Sequence, residues 1–301
     1  MRILLYLLTN LLVVLTISLV LSLLTALGLL PPELPLLQLL VASFVWGMMG
    51  AWISLQLSAE SAKRMMGLQL LGPEGGARER WLLGTVAALA RKADLPMPEL
   101  AIYDSPEWNA FATGPSRNRA LVAVSSGILE GMPAEELEAV LAHELSHVGN
   151  GDMVTMTLLQ GVINAFVMFL ARVVAFLLPR GSGEDQRQAP LTALIWPLEI
   201  VLGLAGSLVT AAFSRHREFR ADAGAARLTG PEPMQAALMR LGQASGVIDR
   251  RDGGALNTLK IAAPRSWLGL FASHPPLEAR IEALQAARLS EAGSSGWLGG
   301  R

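Results

Sequence analysis

The chain has 301 residues, of which 52% are hydrophobic and only 16% charged, with a formal net charge of −1 and no cysteine. A mean hydropathy of +0.43 and a charged share well below the roughly 25% of an ordinary soluble domain point to a membrane part beside a soluble one. The near-zero charge gives no electrostatic case for nucleic acid, and the missing cysteines exclude disulfides, a thiolate nucleophile and thiolate metal ligands.

From the N-terminus, Ile3 to Leu30 is almost wholly apolar, Pro31-Pro32-Glu33 forms a corner, and Leu34 to Leu57 is a second apolar run. Both exceed the ~20 residues that a helix needs to cross a bilayer. Arg2 resembles the start of a signal peptide, but the run is too long for one, and the second run makes a membrane hairpin the better reading. Lys63, Arg64, Arg78, Arg80, Arg91 and Lys92 follow closely. By the positive-inside rule this region, and the N-terminus two crossings earlier, face the cytoplasm.

Ala77 to Ala93 reads as a helix that stops near Pro96 and Pro98. "ELAIYDSP" and "ALVAVSSGIL" read as short strands, with "NAFATG" as a third extended piece between them. Pro133 then opens a helix at its first turn, with Glu135 and Glu136 at the positive end of its dipole. Leu137, Val140, Leu141 and Val148 give it apolar faces, and Gly149-Asn150-Gly151 ends it.

Two further apolar runs follow, Val154 to Leu178 and Pro190 to Phe213, joined by a polar, Gly-containing turn over residues 179–189. They read as a second hairpin, either spanning or lying partly buried against the soluble part. Arg172 and Glu199 interrupt them. Such residues can mark a transport path, but snorkelling to the interface or pairing between helices is the simpler reading. The expected domains are therefore an N-terminal hairpin (1–57), a first soluble part (58–153), a second hairpin (154–213) and a second soluble part (214–301). No internal repeat is evident, and the tail "GSSGWLGGR" reads as a frayed end.

The chemistry lies in "AHELSHVGNGD", Ala142 to Asp152. His143 and His147 stand four apart on the helix that Pro133 opens, so both can reach one ion, while Glu144 projects beside it. This is the half-site of a zinc peptidase, in which the Glu takes a proton from water. A catalytic zinc needs three protein ligands and an open position. In "SRHREFRADAGAARL", Glu218 and Asp222 share a helical face. They suit a carboxylate ligand and a carboxylate that orients a ligating imidazole; equally, they suit a solvated helix whose acids pair with Arg215, Arg217 and Arg220. His216 stands about 200° around the helix from Glu218 and faces away. Both late apolar runs separate His147 from Glu218. An even number of crossings returns the chain to the same side, as one site requires.

Four motifs in order, "WNAFATG", "HELSHVGNGDMVTMTLLQ", "SRHREFRADAGAA" and "SHPPLEARIEAL", resemble the HtpX group of bacterial membrane zinc metalloproteases. That group lies within a wider gluzincin family that also contains the CAAX prenyl proteases. The resemblance runs from the first hairpin to about Leu284. It implies an α+β, mostly helical fold: a zincin-type metalloprotease domain with a small β-sheet and about four transmembrane helices in two hairpins. It implies one zinc per chain held by His143, His147 and Glu218, with Glu144 as general base and proton shuttle and Asp222 behind the ligands. Asn109, Ala110, Phe111 and Ala112 would belong to an edge strand that holds substrate by its main chain. His274 falls where relatives place a histidine near the metal, as a donor to the developing oxyanion; the alternative is a turn histidine before the helix of "PPLEARIEAL".

The implied activity is zinc metalloendopeptidase cleavage of misfolded or damaged membrane proteins at the cytoplasmic face of the bacterial inner membrane. Stress-linked quality control is the implied setting, with lipid, unfolded proteins and other membrane proteases as partners. A non-hydrolytic scaffold or chaperone with a structural zinc would show erosion of Glu144, which is present. A transporter would need paired polar groups and symmetric repeats, and a prenyl-protein processing enzyme more helices than four. Gly246 to Ala272, with Gly-rich and Pro-containing segments, suits a mobile cover.

Overall fold

The computed structural model describes Leu23 and residues 36–177, 191–248 and 274–295. The first apolar run apart from Leu23, the polar turn at 179–189 and nearly all of the expected cover lie outside them. In chain order the elements are α1 (Leu36–Met65), β1 (Gln69–Leu70), α2 (Ala77–Lys92), β2 (Glu99–Tyr103), β3 (Ala110–Thr113), β4 (Leu121–Ser125), α3 (Ser126–Gly131), α4 (Ala134–Asn150), α5 (Asp152–Leu177), α6 (Leu191–Thr229), α7 (Pro231–Ile248) and α8 (Leu277–Ser295). The fold is the mostly helical α+β arrangement expected. Among the described residues three helices are long and apolar enough to cross a membrane: α1, α5 and α6 from Leu194. The chain divides into two compact units, Met1–Ile53 with Thr157–Val209, and Ser54–Met156 with Thr210–Arg301.

In the first unit the helices meet through small residues. A Cβ on Gly47 would stand 2.7 Å from the Ala165 backbone nitrogen and 2.8 Å from the Gly161 carbonyl oxygen, so α1 and α5 touch backbone to backbone. Beside this contact Leu36, Leu40, Phe169 and Val173 form an apolar cluster. The outer surface keeps Trp46, Trp52, Trp196, Ile200 and Val201 exposed, a surface suited to lipid rather than water. Arg172 and Glu199 pair at 2.9 Å, so the two interrupting charges neutralise each other between helices.

The second unit is built on a four-stranded sheet in the order β1-β2-β4-β3, with β2 and β4 parallel and the outer pairs antiparallel. Alternation along each strand sorts the side chains. Leu100, Val122 and Val124 face a core shared with α2, α4, α7 and α8, while Ala101, Tyr103, Leu121 and Ala123 face the other side, toward Ala59 and Ala62 of α1. In α4, Leu137, Leu141 and Leu145 form a fully buried stripe at four-residue spacing, each contributing about 1.5–3 kcal/mol of apolar burial.

Three boundaries differ from the sequence reading. "ALVAVSSGIL" is strand only to Ser125; its buried side chain then caps α3, accepting from the Ile128 N–H at 3.2 Å. Pro133 precedes α4 as its cap rather than entering the first turn. The tail begins as helix, since α8 continues through Ser295.

The Gly47 contact is backbone against backbone, whereas a Cβ on Gly161 would meet the side chains of Met48 and Ala51 first. Gly47→Val is therefore expected to lower stability by about 1–3 kcal/mol and Gly161→Ala by less. Thermal unfolding of both variants in the same detergent checks the order.

Candidate metal centre

Helix α4 is gripped by β3, α2 and α7, and its polar face carries His143, Glu144 and His147. It ends at Gly151, which adopts a left-handed conformation with φ 69° that glycine takes at no steric cost. The reversal starts α5 at once, and its first residue, Asp152, folds back on the preceding turn. His147 Nδ1 donates to Asp152 Oδ2 at 2.7 Å. His143 Nδ1 lies 2.9 Å from Asp222 Oδ1, an ionic contact poorly aligned for a hydrogen bond. A carboxylate at each Nδ1 fixes the ring and turns Nε2 inward.

The two Nε2 atoms stand 3.1 Å apart. Glu218 completes the group from α6: His143 Nε2 is 3.5 Å from its Oε2 and His147 Nε2 is 3.3 Å from its Oε1. Helix α6 reaches this close because its small residues face α4. A Cβ on Gly224 would fall 2.4 Å from Ser146 Oγ, and Ala221 and Ala225 beside it are fully buried.

These residues fit a metal ion. A tetrahedral ion held at about 2.0–2.1 Å sets its ligand atoms about 3.3–3.4 Å apart; the two Nε2 atoms stand 3.1 Å apart, and each lies 3.3–3.5 Å from a different oxygen of Glu218. Glu218 is fully buried, and its Oε1 accepts no hydrogen bond among the described residues. The Arg217 guanidinium lies 3.8 Å from that oxygen, and a bound cation between it and the histidines would complete its partners.

The protonation chemistry agrees. Burial alone lowers the affinity of His147 for a proton, but the carboxylates of Asp152 and Glu218 outweigh it and raise its pKa to about 9. His143 is likewise raised, with burial opposed by Asp222 and Glu218. Glu218, beyond the apolar part of α6, is held far below the usual carboxylate range because the three histidines around it outweigh its burial. Asp222 is lowered despite burial by Arg280 and His143.

Two arginines neutralise the outer carboxylates; sequence reasoning gives Arg280 no role and offers Arg220 only as a partner for the acids of its own helix. Arg280 of α8 forks onto Asp222, with Nε 2.7 Å from Oδ2 and Nη2 2.6 Å from Oδ1. Arg220 Nη2 lies 2.6 Å from Asp152 Oδ1. Asp152 escapes the sequence reading too, although its place directly after the helix-ending glycine is a signal. His274 Nδ1 lies 2.8 Å from Glu218 Oε2, with its side chain largely exposed, so it stands at the ligand group. His216 is exposed and away from it.

A cavity of about 130 Å³ opens beside the donors, lined by His143, Glu144, Glu218, His274 and Arg280 on one side and by Trp108, Asn109, Ala110, Met234 and Leu238 among others. Ala110 and Ala112 face the core that carries α4, whereas Phe111 turns to the opposite face against Tyr103. Its side chain therefore points away from the cavity, leaving its main chain on the edge. The outer edge of β3 pairs with no other strand among the described residues.

Residues 76–288 match the family model described as Peptidase family M48. The chain belongs to peptidase family M48. Protease HtpX of Shewanella halifaxensis is 47% identical over 298 residues, covering 95% of this chain and 99% of that protein. Protease HtpX of Idiomarina loihiensis is 47% identical over 290 residues, with 95% and 99% covered. The crystal structure of S. mikatae Ste24p superposes with a TM-score of 0.59 at 19% identity, covering 90% of this chain and 66% of that one, a likeness of fold. This M48 peptidase is thus a metallopeptidase with membrane helices, as its motifs imply.

A metal needs neutral imidazole nitrogen, so it must displace protons from the raised histidines below about pH 9. Apparent metal affinity is expected to rise between pH 6 and pH 8, roughly tenfold per unit for each proton displaced. Calorimetry in buffers of different ionisation enthalpy would show proton uptake by the buffer; a flat affinity would contradict this. Asp152→Ala is expected to weaken metal binding by about 10–100-fold, read by competition with a chelator.

Proposed function

We propose that this M48 peptidase is a zinc-dependent endopeptidase that cleaves misfolded or damaged membrane proteins at the cytoplasmic face of the bacterial inner membrane. The observation that carries this reading is the convergence of His143, His147 and Glu218 to within 3.1–3.5 Å, with Glu144 on the wall of the adjoining cavity. Two imidazoles and a carboxylate, with no thiolate in the chain, form a donor set that suits zinc with an open position.

Zinc held there supplies Lewis acidity, polarising the scissile carbonyl and making water more acidic. Glu144 removes the proton as the water oxygen adds to the carbonyl carbon, and returns it to the amine as the C–N bond breaks. His274 donates from Nδ1 to Glu218, so it also donates from Nε2 toward the oxygen that gains charge only as an imidazolium. The edge of β3, with Asn109 before it, aligns the substrate main chain by strand addition, which tolerates many sequences.

The domain scheme is an N-terminal membrane hairpin over 1–57, protease parts over 58–153 and 214–301, and a second hairpin over 154–213. Lys63 and Arg64 in the last turn of α1 support a cytoplasmic protease, since cytoplasmic flanks collect basic residues. Anchoring keeps the site beside segments of membrane proteins as they protrude. Lipid, unfolded proteins and other membrane quality-control proteases are its partners in this reading, and nucleic acid is not.

Glu144→Gln tests the mechanism with zinc-restored protein in detergent. The native chain is expected to cut casein and the variant to bind one zinc without cutting. Equal cleavage by both would remove Glu144 from the reaction, and zinc binding without cleavage by either would favour the scaffold.

A further inference from the structure

The cavity beside Glu144 is lined by two unlike sets of residues, the polar groups already described and an apolar wall of Trp108, Ile128, Val140, Met234, Leu238 and Leu241. Of these, Ile128, Met234 and Leu238 are almost completely buried, so this wall belongs to the packed core. A volume of about 130 Å³ is well below the roughly 300–1,000 Å³ of a site for a small molecule. It is close to the ~150 Å³ apolar cavity that accepts a benzene-sized group. The space therefore suits one apolar side chain, next to the group that handles the proton.

Trp108 lines that space, and its ring packs against Gly131, which does not line it. A Cβ on Gly131, at the end of α3, would fall 2.4 Å from Trp108 Cζ2. The ring stands back only because position 131 has no side chain. The next residue is held as well: the Asn109 N–H donates to Ser125 Oγ at 3.2 Å, and the Asn109 carbonyl accepts from the Ser125 N–H at 2.9 Å. On β3 the lining residue is Ala110, small enough for a peptide on that edge to direct a side chain inward.

We propose that this cleft is a size-selective subsite for one substrate side chain of leucine or methionine size flanking the cleaved bond. Trp108 is its limiting wall, and Gly131 sets how far that wall stands back. The inference rests on reading the adjoining centre as that of an endopeptidase and names the residue class it accepts.

The test uses the full chain in detergent, zinc-loaded, with peptides that differ only at the residues flanking the cut: Ala, Leu, Phe or Trp. At one flanking position the native chain is expected to favour Leu over both Ala and Phe by about tenfold or more, within the range one pocket supplies. Trp108→Ala is expected to shift the preference toward Phe, and Gly131→Ala to shift it toward Ala. Each ratio is taken within one protein, so losses of folded or zinc-loaded material cancel. Binding of the same peptides to zinc-loaded Glu144→Gln, read by fluorescence anisotropy, should follow the same order without turnover. Equal cutting of Ala, Leu and Phe peptides by the native chain, or a Leu-to-Phe ratio unmoved by Trp108→Ala, overturns the subsite. If the native chain cuts nothing but Glu144→Gln still binds in size order, the subsite stands and the endopeptidase reading falls. Absence of both cutting and ordered binding overturns the subsite.

Discussion

Two buried carboxylates, Asp152 and Asp222, each hold one histidine by Nδ1, and the centre depends on this pairing. A free imidazole on a helix could point either nitrogen inward. Here both rings present Nε2 to the same point, 3.1 Å apart, where Glu218 meets them. Burying three carboxylates together would be costly if they stood alone. Arg220 and Arg280 offset two of them from outside, and the third meets the histidines, with Arg217 and Arg280 farther off at 3.8 and 3.7 Å.

The rest of the second unit delivers those groups. The leucine stripe of α4 fastens it to the core, so its opposite face is fixed in direction as well as place. Gly224 and its alanine neighbours let α6 approach until the short carboxylate of Glu218 reaches the histidines. Helix α8 contributes Arg280 from far along the chain, and its packing against α7 joins that charge to the core. Catalytic geometry and hydrophobic packing are therefore not separable in this unit.

Much of this arrangement is legible in the amino-acid sequence. A four-residue spacing on a well-capped helix places two side chains on one face whatever the surroundings, so the neighbourhood of His143 and His147 follows from periodicity. Glu218 and Asp222 are ambiguous in isolation, because a solvated helix carries the same charges; four motifs occurring in order tip the balance. The partners formed by long-range packing are not legible. Nothing local to Arg280 distinguishes it from a surface arginine, since its burial is decided by α7 and α8 meeting. The small residues after Asp222 look like ordinary helix formers, and only the approach of α4 gives them a reason. Phe111 groups with its neighbours by motif, although strand alternation turns it to the other face. The strand end at Ser125 is hidden because "SSGIL" is apolar enough to extend a strand and polar enough to cap a helix.

The centre is also divided along the chain. His147 and Glu218 are 71 positions apart, separated by one candidate membrane helix, α5, and by the apolar part of α6, the second, which carries Glu218 itself. A ribosome adding about 5–20 residues per second makes Glu218 about 4–14 s after His147, and Arg280 later still. Throughout that interval the histidine pair lacks its third donor, and Asp222 has not yet been made. The order of synthesis thus withholds the third donor until the apolar segments that separate it from the histidines have been made.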